Sequence, residues 1–461
     1  MGPVRRGPQF RPAGNPTASP EVDATPRITA SLASRRSLLV GAGFVAATAL
    51  GGMQLHRSRH VHVPLFSETV AVDGTGHRSL VAATDADKLL PRSRVVQGVN
   101  SATALTRENA WLDTLSGLGK CEELGSLLRA AAQDLYVLSA GLPAAVAGWS
   151  PKWRYVWPRD TAHVAVAFDA LGRRDLAQAQ LDYLATVQRP DGAFEARYDP
   201  WSGAKPDSRS VQLDGCGWYL WGVARVGRTD SSWLLEHRNS VTRTLRRIIA
   251  ALDAKGRPPA VPDYWEVEPG APTLGTAAVL LAGLEKGVEL ARIYADSSLE
   301  RDCRSAHAAL ARCVIRDFAD HGYPREIGGA EPDAAVTFLS PFYQSALQPP
   351  GYVDALRTYE KRARRPAGGV APGAGWKNDG ISWTPQVALL AGAYASIGQA
   401  AEAARLCVWL GNHRTRAGSF PEKVLHDGKP AAVAPLAWTA ALVISTLTMN
   451  RNPPVCESAL S

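Results

Sequence analysis

Cysteine and histidine are scarce, six and ten among 461 residues, and neither gathers into a chemical motif. Cys303 and Cys313 fall in one helical pattern, where ten residues rise roughly 15 Å. A disulfide needs Cα atoms within about 7 Å, so that pair is excluded. Cys121, Cys216, Cys407 and Cys456 are isolated and read as buried free thiols. His60 and His62 form the only close histidine pair, with no third ligand evident beside them. Neither a metal nor a cofactor is therefore expected. Missing too are a G-x-S-x-G elbow and a Gly-rich phosphate loop. No alternating apolar runs are bounded by turn residues, which excludes a doubly wound sheet.

The net charge of +8 does not point to nucleic acid. Half of it lies before residue 37, where Arg5, Arg6, Arg11, Arg27, Arg35 and Arg36 face only Glu21 and Asp23. No basic cluster is interleaved with aromatics as single-strand binding requires. Residues 1–37 read as a disordered basic leader ending in the twin arginines Arg35–Arg36. Residues 38–55 are uncharged and apolar, close to the length of about 20 that spans a bilayer. They read as an export signal or, if uncleaved, a membrane anchor, placing the protein outside the cell or in its envelope. Residues 56–104 read as a tether with little regular structure, and 105–461 as the functional domain.

From residue 105 the apolar pattern is helical almost throughout. About twelve helices are predicted, near 108–138, 161–172, 175–188, 212–227, 231–253, 273–295, 298–320, 332–340, 351–363, 383–398, 400–412 and 435–449. Short, bland links such as GRRD and IGQA alternate with long links rich in Trp, Asp and Glu. In a chain of antiparallel helices, that alternation puts all the long loops at one end. The predicted fold is all-α, an (α/α)6 toroid of six helical hairpins with a pocket at the loaded mouth.

The long loops supply carboxylates, tryptophans and a few cations, a set suited to sugar rings and their hydroxyls. Glycoside hydrolysis needs two carboxyl groups, one protonated and one ionised. Candidates are Asp263, Glu266 and Glu268 in DYWEVE and Glu422 in FPEKV. Trp157, Trp265 and Trp383 are candidate stacking surfaces or core, and Lys377 and Asp379 candidate hydroxyl ligands. Asp214 either touches substrate or caps the helix after it, Asp160 either binds or caps, and Asp333 is expected to be structural.

WRYVWPRD, QLDG, DYWE and PEKV…VAPLAW, in this order on a helical chain, resemble glycoside hydrolase family 15, the glucoamylase family, over roughly residues 105–450. The resemblance implies that Glu266 is the general acid and Glu422 the general base of an inverting, exo-acting hydrolase of α-linked glucosides. It also implies that Arg159 and Asp160 grip the innermost sugar. Lys423 departs from the glutamine common there in bacterial members. Residues 56–100 are too few for the N-terminal β-sandwich such members often carry, and no starch-binding domain is expected. The alternative is a membrane-tethered protein on the same toroid that binds glycans without cleaving them.

Overall fold

The computed structural model describes residues 60–116, 122–347 and 349–449. Within them the chain is mostly helical, with α1 Ser101–Asp113, α2 Glu122–Ser139, α3 Pro158–Ala170, α4 Arg174–Val187 and α5 Asp214–Gly227. There follow α6 Ser231–Glu236, α7 Arg238–Ala251, α8 Leu274–Ile293, α9 Ser297–Phe318 and a 3-10 turn Ala334–Leu339. The last helices are α10 Tyr352–Ala363, α11 Thr384–Ser396, α12 Ala400–Asn412 and α13 Ala437–Met449.

Burial sorts these helices into two kinds. Every residue of α3 from Pro158 to Phe168 is buried, as is every residue of α11 from Thr384 to Ala395. A helix buried on all sides lies in the interior, and α11 is almost wholly apolar as well. By contrast α4 buries only Ala177, Gln180, Leu181 and Leu184, and α12 only Ala403, Leu406, Cys407 and Leu410. Both are single stripes at i, i+3, i+4, i+7, the signature of an outer helix. The inner elements pack in succession, α3 on α5, α5 on α8, α8 on the 3-10 turn, that turn on α11, and α11 on α13. Helix α13 then packs back on α3, which closes a ring. Outside it, α2 covers α13, α4 covers α3, α9 covers α8 and α12 covers α11.

Two glycines let α5 and α8 approach closely. A Cβ on Gly217 would lie 2.3 Å from the Val279 carbonyl oxygen, and one on Gly283 would lie 2.7 Å from the Gly217 Cα. Aromatic rings fill the centre of the ring around His163, with Trp218 at 4.8 Å, Trp221 at 5.2 Å and Trp438 at 5.9 Å between centroids. The His163 Nε2 pairs with the Tyr343 hydroxyl at 3.0 Å. Burial holds this imidazole down at about 3, so it stays neutral.

The sequence expectations differ from the structure in five places. The helix expected over 108–138 is two, α1 and α2, and that over 231–253 is α6 and α7, parted at His237. The element expected at 332–340 is a six-residue 3-10 turn. Residues 60–100 are packed against the helices, not a loose tether. They form a hairpin of β1 Thr69–Val72 and β2 Arg78–Val81, with Val70, Val72 and Val81 buried. Arg94 makes a buried ion pair with Asp134 of α2 at 3.0 Å, and Ser67 Oγ donates to the Ala434 carbonyl at 2.7 Å. Finally, a small antiparallel sheet joins β3 Ser382–Trp383, β4 Lys423–Val424 and β5 Pro430–Ala431. Strands of two to four residues are too short to display a period.

The leader at 1–37 and the apolar segment at 38–55 lie outside the described residues. Among the described residues, no helix is long and apolar enough to cross a membrane.

Candidate active site

Helix α3 starts the site. Trp157 is its extended N-cap residue and Pro158 its first helical residue, where the missing N–H and fixed φ cost nothing. Asp160 therefore lies inside the first turn and is not the cap that the sequence suggested. Its carboxylate pairs with Arg159 at 2.9 Å, and both side chains are almost wholly buried. Burial raises the Asp160 carboxyl against the pull of Arg159. For Arg159, burial opposes the charge, but Asp160, Glu266 and Asp214 together outweigh it and raise the guanidinium. The guanidinium lies 4.2 Å over the Trp438 ring, and its Nε and Nη1 have no hydrogen-bond partner.

The loop before α8 presents Glu266. Asp263 is fully buried and takes a bidentate grip from Arg325, at 3.0 and 2.9 Å. The same guanidinium lies 3.8 Å from the Trp265 ring centre. The Tyr264 hydroxyl donates to Asp333 Oδ1 at 2.5 Å, tying the loop to the 3-10 turn. Asp333 is thus a buttress, as expected, with burial pushing its carboxyl up to about 7 while Arg325 opposes. Glu266 itself has φ of 58°, the left-handed region that a non-glycine residue occupies only when its surroundings enforce it. Its amide is pinned to the Asp263 carbonyl at 2.8 Å. The side chain does not sit between purely apolar walls. Trp157 Nε1 donates to Oε1 at 2.8 Å, and Arg209 Nη1 donates to Oε2. Glu268, the rival candidate, is exposed and accepts from Ser210 Oγ at 2.7 Å.

Glu422 is held by the small sheet. Its amide donates to the Val433 carbonyl at 2.8 Å, and its carbonyl accepts from Thr384 at 3.1 Å. Burial raises the carboxyl, opposed by Lys423 and by Trp153. Lys423 Nζ lies 3.5 Å from Oε2, while Trp153 Nε1 donates to Oε1 at 3.4 Å. Lys423 is also paired in register with Trp383 and lies 4.3 Å over its ring. The lysine therefore faces the glutamate that precedes it.

These parts converge on one cavity of about 260 Å³. Its lining includes Trp157, Arg159, Asp160, Trp265, Glu266, Trp383 and Glu422, all named from the sequence. The wall is aromatic, with Trp376 edge-on to Trp265 at 4.6 Å and to Trp383 at 5.6 Å. Asp214, Lys377 and Asp379, also candidates from the sequence, are not on it. Asp214 is buried at the start of α5, its carboxyl pushed up to about 7 by burial against the field of Arg159. Lys377 is exposed and lies 5.6 Å over Trp376. Asp379 is buried and accepts from the Ile381 amide at 3.0 Å, a turn contact.

Several lining residues escaped the sequence reading, notably Lys152, Arg197, Arg209, Gln386 and Trp438. Trp153 and Trp438 lay within the quoted WRYVWPRD and VAPLAW, so a signal existed for them. A lone arginine in a long loop, such as Arg209, carries none.

No family model matches the chain. A 73-residue stretch is 30% identical to an uncharacterized glycosyl hydrolase of Methanocaldococcus jannaschii, covering 16% of this chain and 12% of that protein. A 62-residue stretch is 42% identical to a glucoamylase of Clostridium sp., covering 13% and 8%. The matches thus span a small part of these relatives. Among solved structures, a bacterial glucoamylase complexed with acarbose superposes with a TM-score of 0.65 at 20% identity, over 76% of this chain and 59% of that one. The glucoamylase of Saccharomycopsis fibuligera superposes with a TM-score of 0.57 at 12% identity, over 72% and 96%. In its fold the chain is similar to glucoamylases, its mostly helical architecture matching their helical toroid.

Proposed function

We propose that this protein is an exo-acting, inverting glycoside hydrolase of an α-linked glucoside or related oligosaccharide. One observation carries the reading: Glu266 and Glu422, from loops far apart in the chain, line the same tryptophan-walled cavity as the buried Arg159–Asp160 pair. The ring of inner elements and its outer partners supports six helical hairpins as the frame. Trp438 lines the cavity and lies 5.9 Å from His163 in the aromatic centre of the ring, which supports a pocket for terminal units over a through-going cleft.

In this reading the terminal sugar sits against Arg159 and Asp160, whose charges suit its hydroxyls. Glu266 gives a proton to the leaving oxygen, and Glu422 takes one from a water that attacks the opposite face. Inversion requires the two carboxyls to stand about 6.5–9.5 Å apart. The buried Glu422 Oε2 has Lys423 at 3.5 Å but no hydrogen bond, and so has a lone pair to offer that water. We read the leader and apolar segment as directing export, with anchoring if they persist; the layout of Arg35–Arg36 before an uncharged run supports this.

Incubation with α-glucosides, followed by NMR, tests the reading. Release of the β-anomer first is expected, and E266Q and E422Q should each lose about 10²-fold or more in kcat. Full activity in both variants would remove the assignment. Tight binding of oligosaccharides without turnover by the wild type would favour a glycan-binding protein instead.

A further inference from the structure

The cavity lining carries three cations besides the Arg159 that pairs with Asp160. They are Lys152, Arg197 and Arg209. Arg197 Nη1 donates to the Lys152 carbonyl at 2.9 Å, so these two are adjacent. Arg197 is also bonded to Asp207, and Arg209 Nε lies 3.3 Å from the same carboxylate. The other partner of Arg209 is Glu266. Lys152 is exposed and makes no ion pair within 4.0 Å among the described residues. Glu268, the next carboxylate along, is outside the lining and bonded to Ser210.

Glu266 is thus served by two donors of different character. Trp157, on Oε1, is buried and fixed by α3; Arg209, on Oε2, comes from a loop and is 39% exposed. A carboxyl that is to protonate a leaving oxygen needs one oxygen free to carry the proton. The exposed partner is the one free to yield, which would make Oε2 the donating oxygen and put Arg209 on the leaving-group side. Once Glu266 is protonated, Asp207 is the one carboxylate in ion-pair reach of Arg197 and Arg209 among the described residues, and Lys152 has none. An anion that enters with the substrate would meet these incompletely paired donors at the cavity lining.

Resting on the hydrolase reading above, we infer that the leaving-group side of the substrate carries an anionic oxygen group, a carboxylate or a phosphate, received by Arg209 and Lys152. The anion draws Arg209 off Glu266 and leaves that carboxyl free to hold its proton. An acidic aglycone therefore assembles the acid, whereas a neutral one leaves Arg209 competing for it.

The test uses phenyl α-glucosides that are identical but for a ring carboxylate, a ring phosphate or a neutral carboxamide, hydrolysed by the full chain. The charged members should exceed the neutral one in kcat/KM by about tenfold or more, the scale of a charge-assisted hydrogen bond. Whichever anion shows the larger ratio identifies the group. The ratio should shrink as salt is raised. R209Q and K152Q should each collapse it, whereas a merely structural loss would lower all three substrates alike. Equal kcat/KM for charged and neutral members in the wild type overturns the inference and leaves hydrolysis standing. Failure to turn over any α-glucoside overturns hydrolysis, and the inference with it.

Discussion

The indole N–H of Trp157 donates to Glu266 Oε1 at 2.8 Å, joining the residue that caps α3 to the loop that precedes α8. The two residues are 109 positions apart. The bond fixes one oxygen of the proposed acid and so decides which way the other faces.

W157F keeps the ring and removes that donor. A lost hydrogen bond to a charged group costs about 1.5–3 kcal/mol, so kcat should fall by roughly tenfold to a hundredfold. KM for a terminal glucoside should change less, and steady-state kinetics separates the two.

Lys423 opposes the upward push that burial exerts on Glu422. A base works only when ionised, so activity is lost as pH falls through its folded pKa. K423M removes the opposing charge, and the acid limb of kcat/KM against pH should move to higher pH. An unmoved acid limb would mean that Glu422 does not govern it.

Arg325 holds the fully buried Asp263 with two hydrogen bonds and supports Trp265 from beneath. R325M would leave that carboxylate buried and unpaired, a loss on the order of 3–5 kcal/mol. Denaturant unfolding should show it, and the variant should lose activity even below its melting temperature because the Glu266 loop loses its base. R325K, with one point charge in place of a fork, should recover only part of either.

Gly217 sits where α5 meets α8, and a Cβ there would lie 2.3 Å from the Val279 carbonyl. A backbone atom cannot turn aside as a side chain can, so G217A should cost about 1–3 kcal/mol. A thermal shift too small to measure would show that the inner ring can expand.

The helices were legible because burial writes itself into spacing. Helix α12 shows a single stripe, α11 is apolar all round, and each pattern is complete within one segment. The alternation of bland and loaded links likewise survives in one dimension. What lay in the loops was less readable. DYWEVE offers Glu266 and Glu268 two residues apart, and nothing local says which faces the cavity; the left-handed backbone at Glu266, enforced by Asp263 and Arg325, decides it.

The packing of residues 60–100 was hidden for a different reason, since Ser67 and Thr69 find partners in Ala434 and Ser419 near the other end of the domain. Local sequence by itself determined the helical frame, the order of the loaded loops and the kinds of side chain they carry. Tertiary structure alone decided that Arg209 meets Glu266, that Lys423 turns toward Glu422, and that Asp214 and Lys377 stay off the cavity wall. Periodicity arises from contacts within one turn of helix. A site arises from contacts between segments that only the closing of the ring brings together.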